Sequence, residues 1–313
     1  MHSQMFCELV LDFTLRPTSP LLIKSGDEDA LDPTLPDMQF VRTYDVSSGT
    51  ETVFIPGASL KGVVRSHAER LVRSQNPLAA CDPLRKSSDV PDGFRGSCSL
   101  DKGNQTDLPG DQAYRKVCYT CRLFGSTAVA SRILFSDLMP DQTAKPIMGE
   151  RKGVAIDRVT GAVLSGGLFE MEVVYDAIFH GRLVIRNFTI GQLGLVGGSL
   201  LDISDGLVPI GFGKSKGFGR VSLSFKNLQA RYPVDTDGHV WGVGNVAPQE
   251  TLNRYGLGAI HGKDGLESPT GTFKRAGLYS VSVDGDQPVR LALENAAARW
   301  PGEVAGLAWG GGN

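Results

Sequence analysis

Val53-Phe54-Ile55-Pro56-Gly57-Ala58-Ser59-Leu60-Lys61-Gly62-Val63-Val64-Arg65-Ser66-His67-Ala68-Glu69-Arg70 reads as a short buried strand, a Pro-Gly turn and a helix opening at Ser59. The Ser59 hydroxyl is placed to accept one of the first-turn N–H groups, which have no partner inside the helix. Leu60, Val63, Val64, His67 and Leu71 recur at helical spacing, so one face packs into a core. Lys61 and Arg65 stand four apart and point the other way. A helix N-terminus that carries two cations and unpaired N–H donors is a ready phosphate site. Taken alone, the same residues also describe an ordinary amphipathic helix with a solvated basic face.

The chain around this stretch has 313 residues, 41% hydrophobic and 21% charged, which suffices for one large core or two modest ones. A net charge of -2 excludes a global field that draws the protein to nucleic acid, so any such surface must be a local patch. No apolar run reaches the length of a membrane span, and Met1-His2-Ser3-Gln4-Met5 lacks the basic start and long apolar core of a signal peptide. The expectation is a soluble protein of the cytoplasm with no membrane partner.

Upstream, Phe6 to Leu15 alternates apolar and polar residues, a half-buried strand ended by Pro17 and Pro20; Leu21-Leu22-Ile23 suggests a second, brief one. Residues 25–36 form an acidic loop with Asp27, Glu28, Asp29 and Asp32, and Asp37 follows just before Phe40-Val41. Downstream, residues 76–121 are polar and weakly periodic, and a stretch this long needs an anchor of its own. Cys81, Cys98, Cys118 and Cys121 supply one: the last two form a Cys-x-x-Cys, and four thiolates close a tetrahedral structural zinc site. Buried free thiols and a redox pair are the alternatives, and His67 is a substitute fourth ligand.

The segment 149–161 is basic and punctuated by glycine, the pattern of an exposed β-hairpin that offers Arg151, Lys152 and Arg158 either to phosphates or simply to water. Leu168 to Tyr175 and Leu183 to Phe188 are strands, and Ile190 to Leu201 a helix. Gly211-Phe212-Gly213-Lys214-Ser215-Lys216-Gly217-Phe218-Gly219-Arg220 interleaves cations with aromatics, and Gly211 and Gly213 let the backbone approach a ligand closely. The loop leads into the strand Val221 to Phe225 and not into a helix, which argues against a nucleotide-cofactor loop. From Asn227 the pattern loosens, with a strand at Leu278 to Val283 and a helix at Leu291 to Trp300.

In this order, Ile55 to Arg65, Cys118-Tyr119-Thr120-Cys121-Arg122-Leu123-Phe124-Gly125-Ser126, Gly153 to Gly161 and the Gly211 to Arg220 loop resemble the RAMP superfamily. More closely, they are similar to the repeated backbone subunit of type III CRISPR effector complexes of the Csm/Cmr kind. The likeness covers roughly Phe6 to Phe225. It implies an α+β fold: a modified RRM-like, ferredoxin-like core, an antiparallel sheet with helices on one face, from residues 1–75 and 122–226. A zinc-binding lid is inserted at 76–121 and a hairpin thumb at about 145–170. The size of the cysteine-bearing insertion is like the lids of type III-D and fused single-chain effectors, and 227–313 extends past the family's usual last strand with no assigned role.

The resemblance further implies a guide-RNA (crRNA)-binding subunit that assembles with other RAMP subunits and cuts complementary target RNA as an endoribonuclease. A loop aspartate ahead of the Ile-Pro-Gly motif would act with Mg²⁺ or Mn²⁺; Asp37, followed by Phe40-Val41-Arg42, matches best, with Asp27, Asp29 and Asp32 as rivals. Ser59, Lys61, Arg65, Gly211, Gly213, Lys214 and Lys216 would hold guide RNA, with Arg151, Lys152 and Arg158 in the thumb. The second reading is a scaffold that binds guide without cutting. A guide-maturing RAMP nuclease is disfavoured, because His67 and His180 form no evident general acid–base cluster.

Overall fold

The computed structural model describes residues 3–26, 36–100, 108–266, 273–275 and 277–306. Asp27, Asp29 and Asp32 lie outside them. Strand β1 (Glu8–Pro17) alternates as its sequence demands, with Leu9, Leu11, Phe13 and Leu15 at most 1% exposed. Leu21-Leu22-Ile23 is no strand. All three side chains are buried, but between Pro20 and Gly26 the backbone makes only isolated bridges, Leu21 to Val174 and Lys24 to Phe40. A small hairpin follows, β2 (Arg42–Asp45) with β3 (Thr50–Val53).

Helix α1 (Gly57–Gln75) begins two residues earlier than expected, with Pro56 as N-cap and no side-chain cap bond; Ser59 sits inside its first turn. The first N–H is satisfied from elsewhere, as Gly57 N donates to Asp137 Oδ1 at 2.8 Å. Leu60, Val64, Ala68 and Val72 form the buried face, and Val63 and Leu71 pack against its margin. The 76–121 stretch carries α2 (Gly110–Lys116) and leads into α3 (Tyr119–Phe124).

Then come β4 (Ile133–Phe135), β5 (Met139–Pro140), and the long hairpin of β6 (Ile147–Ile156) and β7 (Val163–Asp176). Strand β8 (Phe179–Arg186) leads to α4 (Ile190–Ser204), whose start is a capping box between Thr189 and Gln192. Strand β9 (Val221–Tyr232) runs seven residues beyond Phe225, so a division at 226/227 falls inside it. The rest comprises β10 (Val240–Trp241), α5 (Val243–Val246), α6 (Gln249–Arg254), β11 (Gly265–Leu266), β12 (Phe273–Arg275), β13 (Leu278–Asp284), α7 (Asp286–Ala297) and α8 (Trp300–Gly306).

The main sheet has the order β12-β13-β9-β1-β8-β4, with β5 also on β8, and every pairing is antiparallel. Its apolar face packs against a helical layer in which α4 touches α1, α7 and α8. The opposite face carries cross-strand ion pairs, Asp12 with Arg182 at 2.6 Å and Arg16 with Asp176 at 2.8 Å. The fold is thus the expected antiparallel sheet with helices. The segment after Asn227 belongs to the same core, since β13 extends the sheet beside β9 and α7 packs on α4.

Candidate metal centre and nucleic-acid interface

The four cysteines of the insertion converge. Their Sγ atoms lie within 4.8 Å of one another, all four residues are buried, and none is in a disulfide. Four sulfurs about 2.3 Å from a shared ion stand roughly 3.8 Å apart at the corners of a tetrahedron; Cys81 and Cys121 are 3.7 Å apart. Cys118 caps α3, its sulfur accepting from Cys121 N at 3.4 Å, while Cys118 N donates to Cys98 Sγ at 3.3 Å. Hydrogen bonding to Cys118 pushes the Cys121 and Cys81 thiols far above the ordinary range. Cys118 is held well below it: burial acts upward but is outweighed by hydrogen bonds from Cys121, Cys81 and Cys98. Four sulfurs so close cannot all ionise without a cation among them. The quartet fits a metal such as zinc, and with four protein ligands the tetrahedron leaves no open position. His67 stays outside it, bound to Asp202 Oδ2 at 2.6 Å.

A second convergence lies midway along the long hairpin. Asp37 is exposed, and its Oδ2 accepts from Glu170 N at 2.8 Å. Met38 bridges Met171, and Arg42 grips Glu172 with two nitrogens at 2.5 and 2.9 Å. The 37–42 segment is therefore stitched along β7. Lys152 meets Glu170 at 2.8 Å, and Lys216 Nζ stands 4.3 Å from the centre of the Phe169 ring. Residues 169–172 thus bring together the aspartate loop, the hairpin lysine and the glycine-rich loop. Arg151 packs over Tyr175 at 5.6 Å, and Arg158 is exposed near the hairpin turn. Toward that turn Val154 faces Leu168 and Ile156 faces Val163, an exposed apolar pair of rungs.

The glycine-rich loop is fastened to the body of the protein. Gly211 and Gly219 have φ of +74° and +82°, and a Cβ on either would strike a carbonyl, of Leu22 or of Ile210. Phe212 N bonds Leu22 O at 2.8 Å and Gly219 N bonds Pro20 O at 2.9 Å, so these glycines seat the loop on residues 20–23. Between Gly213 and Gly217 a single 3-10 turn presents Lys214, Ser215 and Lys216 outward. Burial and the charge of Arg70 both lower the Lys214 ammonium, which places Arg70 beside this patch.

The helix cations do not form a solvated face. Lys61 Nζ donates to Ser131 Oγ at 2.8 Å and Ile133 O at 3.1 Å, at the rim of a cavity of about 420 Å³ shared with Leu134 and Arg186. Arg65 turns inward toward the cysteines. Sequence reading missed Arg70, Asp137, Glu170 and Glu172. Asp137, Glu170 and Glu172 acquire partners from distant segments, and Arg70 joins the patch only because the fold brings Lys214 near it.

Among the described residues no helix is long and apolar enough to cross a membrane. Residues 14–222 match the family described as the RAMP superfamily. No curated protein matches the chain.

Proposed function

This chain belongs to the RAMP superfamily, and from that membership we propose that it is a guide-crRNA-binding backbone subunit of a type III CRISPR-Cas effector that cuts complementary target RNA. The observation that carries the reading is the attachment of Asp37, Lys152 and Lys216 to two successive residues of β7, Phe169 and Glu170. It fastens a carboxylate and two cations midway along an exposed hairpin whose far end is apolar, Lys152 on the face of the Glu170 side chain and Lys216 on the face of the Phe169 ring. Apolar side chains on such a projection suit insertion between base pairs, which opens a duplex locally. The lysines suit the phosphates on either side.

Asp37 has one oxygen committed to the Glu170 N–H and so a fixed orientation. A Mg²⁺ or Mn²⁺ ion held there would polarise the reacting phosphate oxygens. Lys214, Lys216, Ser59 and Lys61 are proposed for the guide, and Arg151, Lys152 and Arg158 for the hairpin's RNA contacts. Other RAMP subunits are the proposed protein partners, and Zn²⁺ the structural ion of the cysteine quartet.

A scaffold that binds guide without cutting is the second reading. It is favoured by the same Asp37–Glu170 bond, since fastening the 37–42 segment to β7 is a sufficient role for that carboxylate. The purified complex, given guide-complementary RNA and Mg²⁺, separates the two. We expect cutting, and Asp37→Ala should lower its rate at least about 100-fold, the scale of removing a catalytic group, while target affinity stays within a few-fold. No cutting by the wild type, or intact cutting by Asp37→Ala and by Asp27→Ala, Asp29→Ala and Asp32→Ala made one at a time, assigns the chain to the scaffold reading; loss of cutting in one of those three moves the catalytic role to that aspartate.

A further inference from the structure

Helix α1 meets the cysteine quartet through Arg65. Its side chain is 28% exposed, and all three nitrogens are engaged within the protein. Nε pairs with Glu69 Oε1 at 2.8 Å, Nη1 donates to Gly125 O at 3.1 Å, and Nη2 donates to Cys121 Sγ at 3.4 Å. In the last turn of the same helix, Arg73 Nη2 donates to Cys81 O at 2.7 Å. Two of the four sulfur-bearing residues are therefore tied to α1 by guanidinium groups.

Charge gives these contacts a purpose. Four thiolates around a divalent ion sum to a dianion, and Glu69 places a further buried carboxylate beside it. Negative charge held out of water is costly unless cations and hydrogen bonds compensate it. A neutral thiol is a weak acceptor, so without metal the Nη2 bond has little strength. A metal-bound thiolate makes it charge-assisted. Groups in this relation to a metal ligand set its orientation and its basicity.

We propose that Arg65 is a positioning residue of the metal centre: it compensates the thiolates through Cys121 Sγ, locks α1 against them, and does not contact guide RNA. The proposal rests on the metal reading of the quartet. Its consequence is that metal loading fixes α1, on which Lys61 stands one turn before Arg65.

The test uses the full chain, with Co²⁺ as a coloured probe and Zn²⁺ in parallel. Wild type, Arg65→Gln, Arg65→Lys and, as a control at an exposed position of the same helix, Ser66→Ala are compared by chelator competition and by the thiolate-to-cobalt charge-transfer band. Arg65→Gln should bind metal about 10- to 100-fold more weakly and shift the band, because the Cys121 thiolate loses a charged donor. Arg65→Lys should restore part of both, and Ser66→Ala should match wild type. Metal-saturated Arg65→Gln should bind single-stranded RNA as wild type does, with the same salt dependence. Wild-type metal affinity and band in Arg65→Gln overturn the proposal while the metal reading stands, as does weakened RNA binding by the saturated variant. A wild-type chain that takes up neither ion overturns both. Should Arg65→Gln fail to fold, Arg65→Lys carries the test, with an intermediate affinity and band expected and wild-type values overturning.

Discussion

Gly57 and Asp137 together start the helix that opens the family motif. A Cβ at residue 57 would meet the carbonyls of Phe135 and Ser136, so the chain can cross β4 this closely only at a glycine. The closeness then brings the Asp137 carboxylate onto the first N–H of α1, where a negative charge is favoured by the helix dipole. Ser59, a residue type suited to capping, is too far into the first turn to do so. Asp137→Ala should therefore cost about 1 kcal/mol, in the range of lost helix caps, and Ser59→Ala much less. Urea unfolding of the two variants checks this, and equal losses would return the cap to Ser59.

The start of α4 shows the same device between distant elements. Asp264 accepts from Ile190 N at 2.6 Å and Gly244 N at 2.8 Å, while Glu303, from α8, accepts from Thr189 Oγ1 at 2.7 Å and Gly191 N at 3.1 Å. Two carboxylates of the C-terminal segment thus hold one helix end, alongside Tyr119 and within reach of Arg299. Burial raises both, Glu303 to about 7, with the charge of Asp264 adding to it, and Asp264 to about 6. A raised folded-state value means that the folded form binds more protons than the unfolded one over this interval. The pair's contribution is then full below the ordinary carboxylate range near 4 and is lost as pH rises through about 7. Melting temperatures measured from pH 5 to 8 should fall less steeply for Glu303→Gln than for wild type. Identical slopes would show that Glu303 does not titrate there.

For the whole molecule, net charge is -2, so RNA affinity must come from cations gathered by the fold. Lys214 and Lys216 share one turn, with Arg70 beside the first and Phe169 under the second. If both engage phosphates, Lys214→Ala with Lys216→Ala should flatten the slope of log affinity against log salt by about 1.4, from a coefficient of roughly 0.7 per phosphate contact on single strands. An unchanged slope in a filter-binding series would place the phosphate contacts elsewhere.

Periodicity and spacing determined much of this by themselves. The alternation of β1, the apolar face of α1, the basic hairpin and the four cysteines are local patterns, readable without knowing where the chain goes next. The alternation after Phe225 was hidden by one residue. Asp12 pairs with Asn227 while Phe13 pairs with Phe225, so Lys226 bulges out and the buried positions change from 221, 223 and 225 to 228, 230 and 232. A period-two reading stops at such a shift although the strand continues. Tertiary structure decided that Lys61 turns to Ser131 and Ile133, and that Arg65, beyond its local partner Glu69, reaches Gly125 and Cys121, 60 and 56 residues away. It alone brought Asp37 to Glu170 across 133 residues. Side-chain type and spacing limit what a residue can bind, but a partner supplied by a remote segment depends on the path of the whole backbone, which no local pattern encodes.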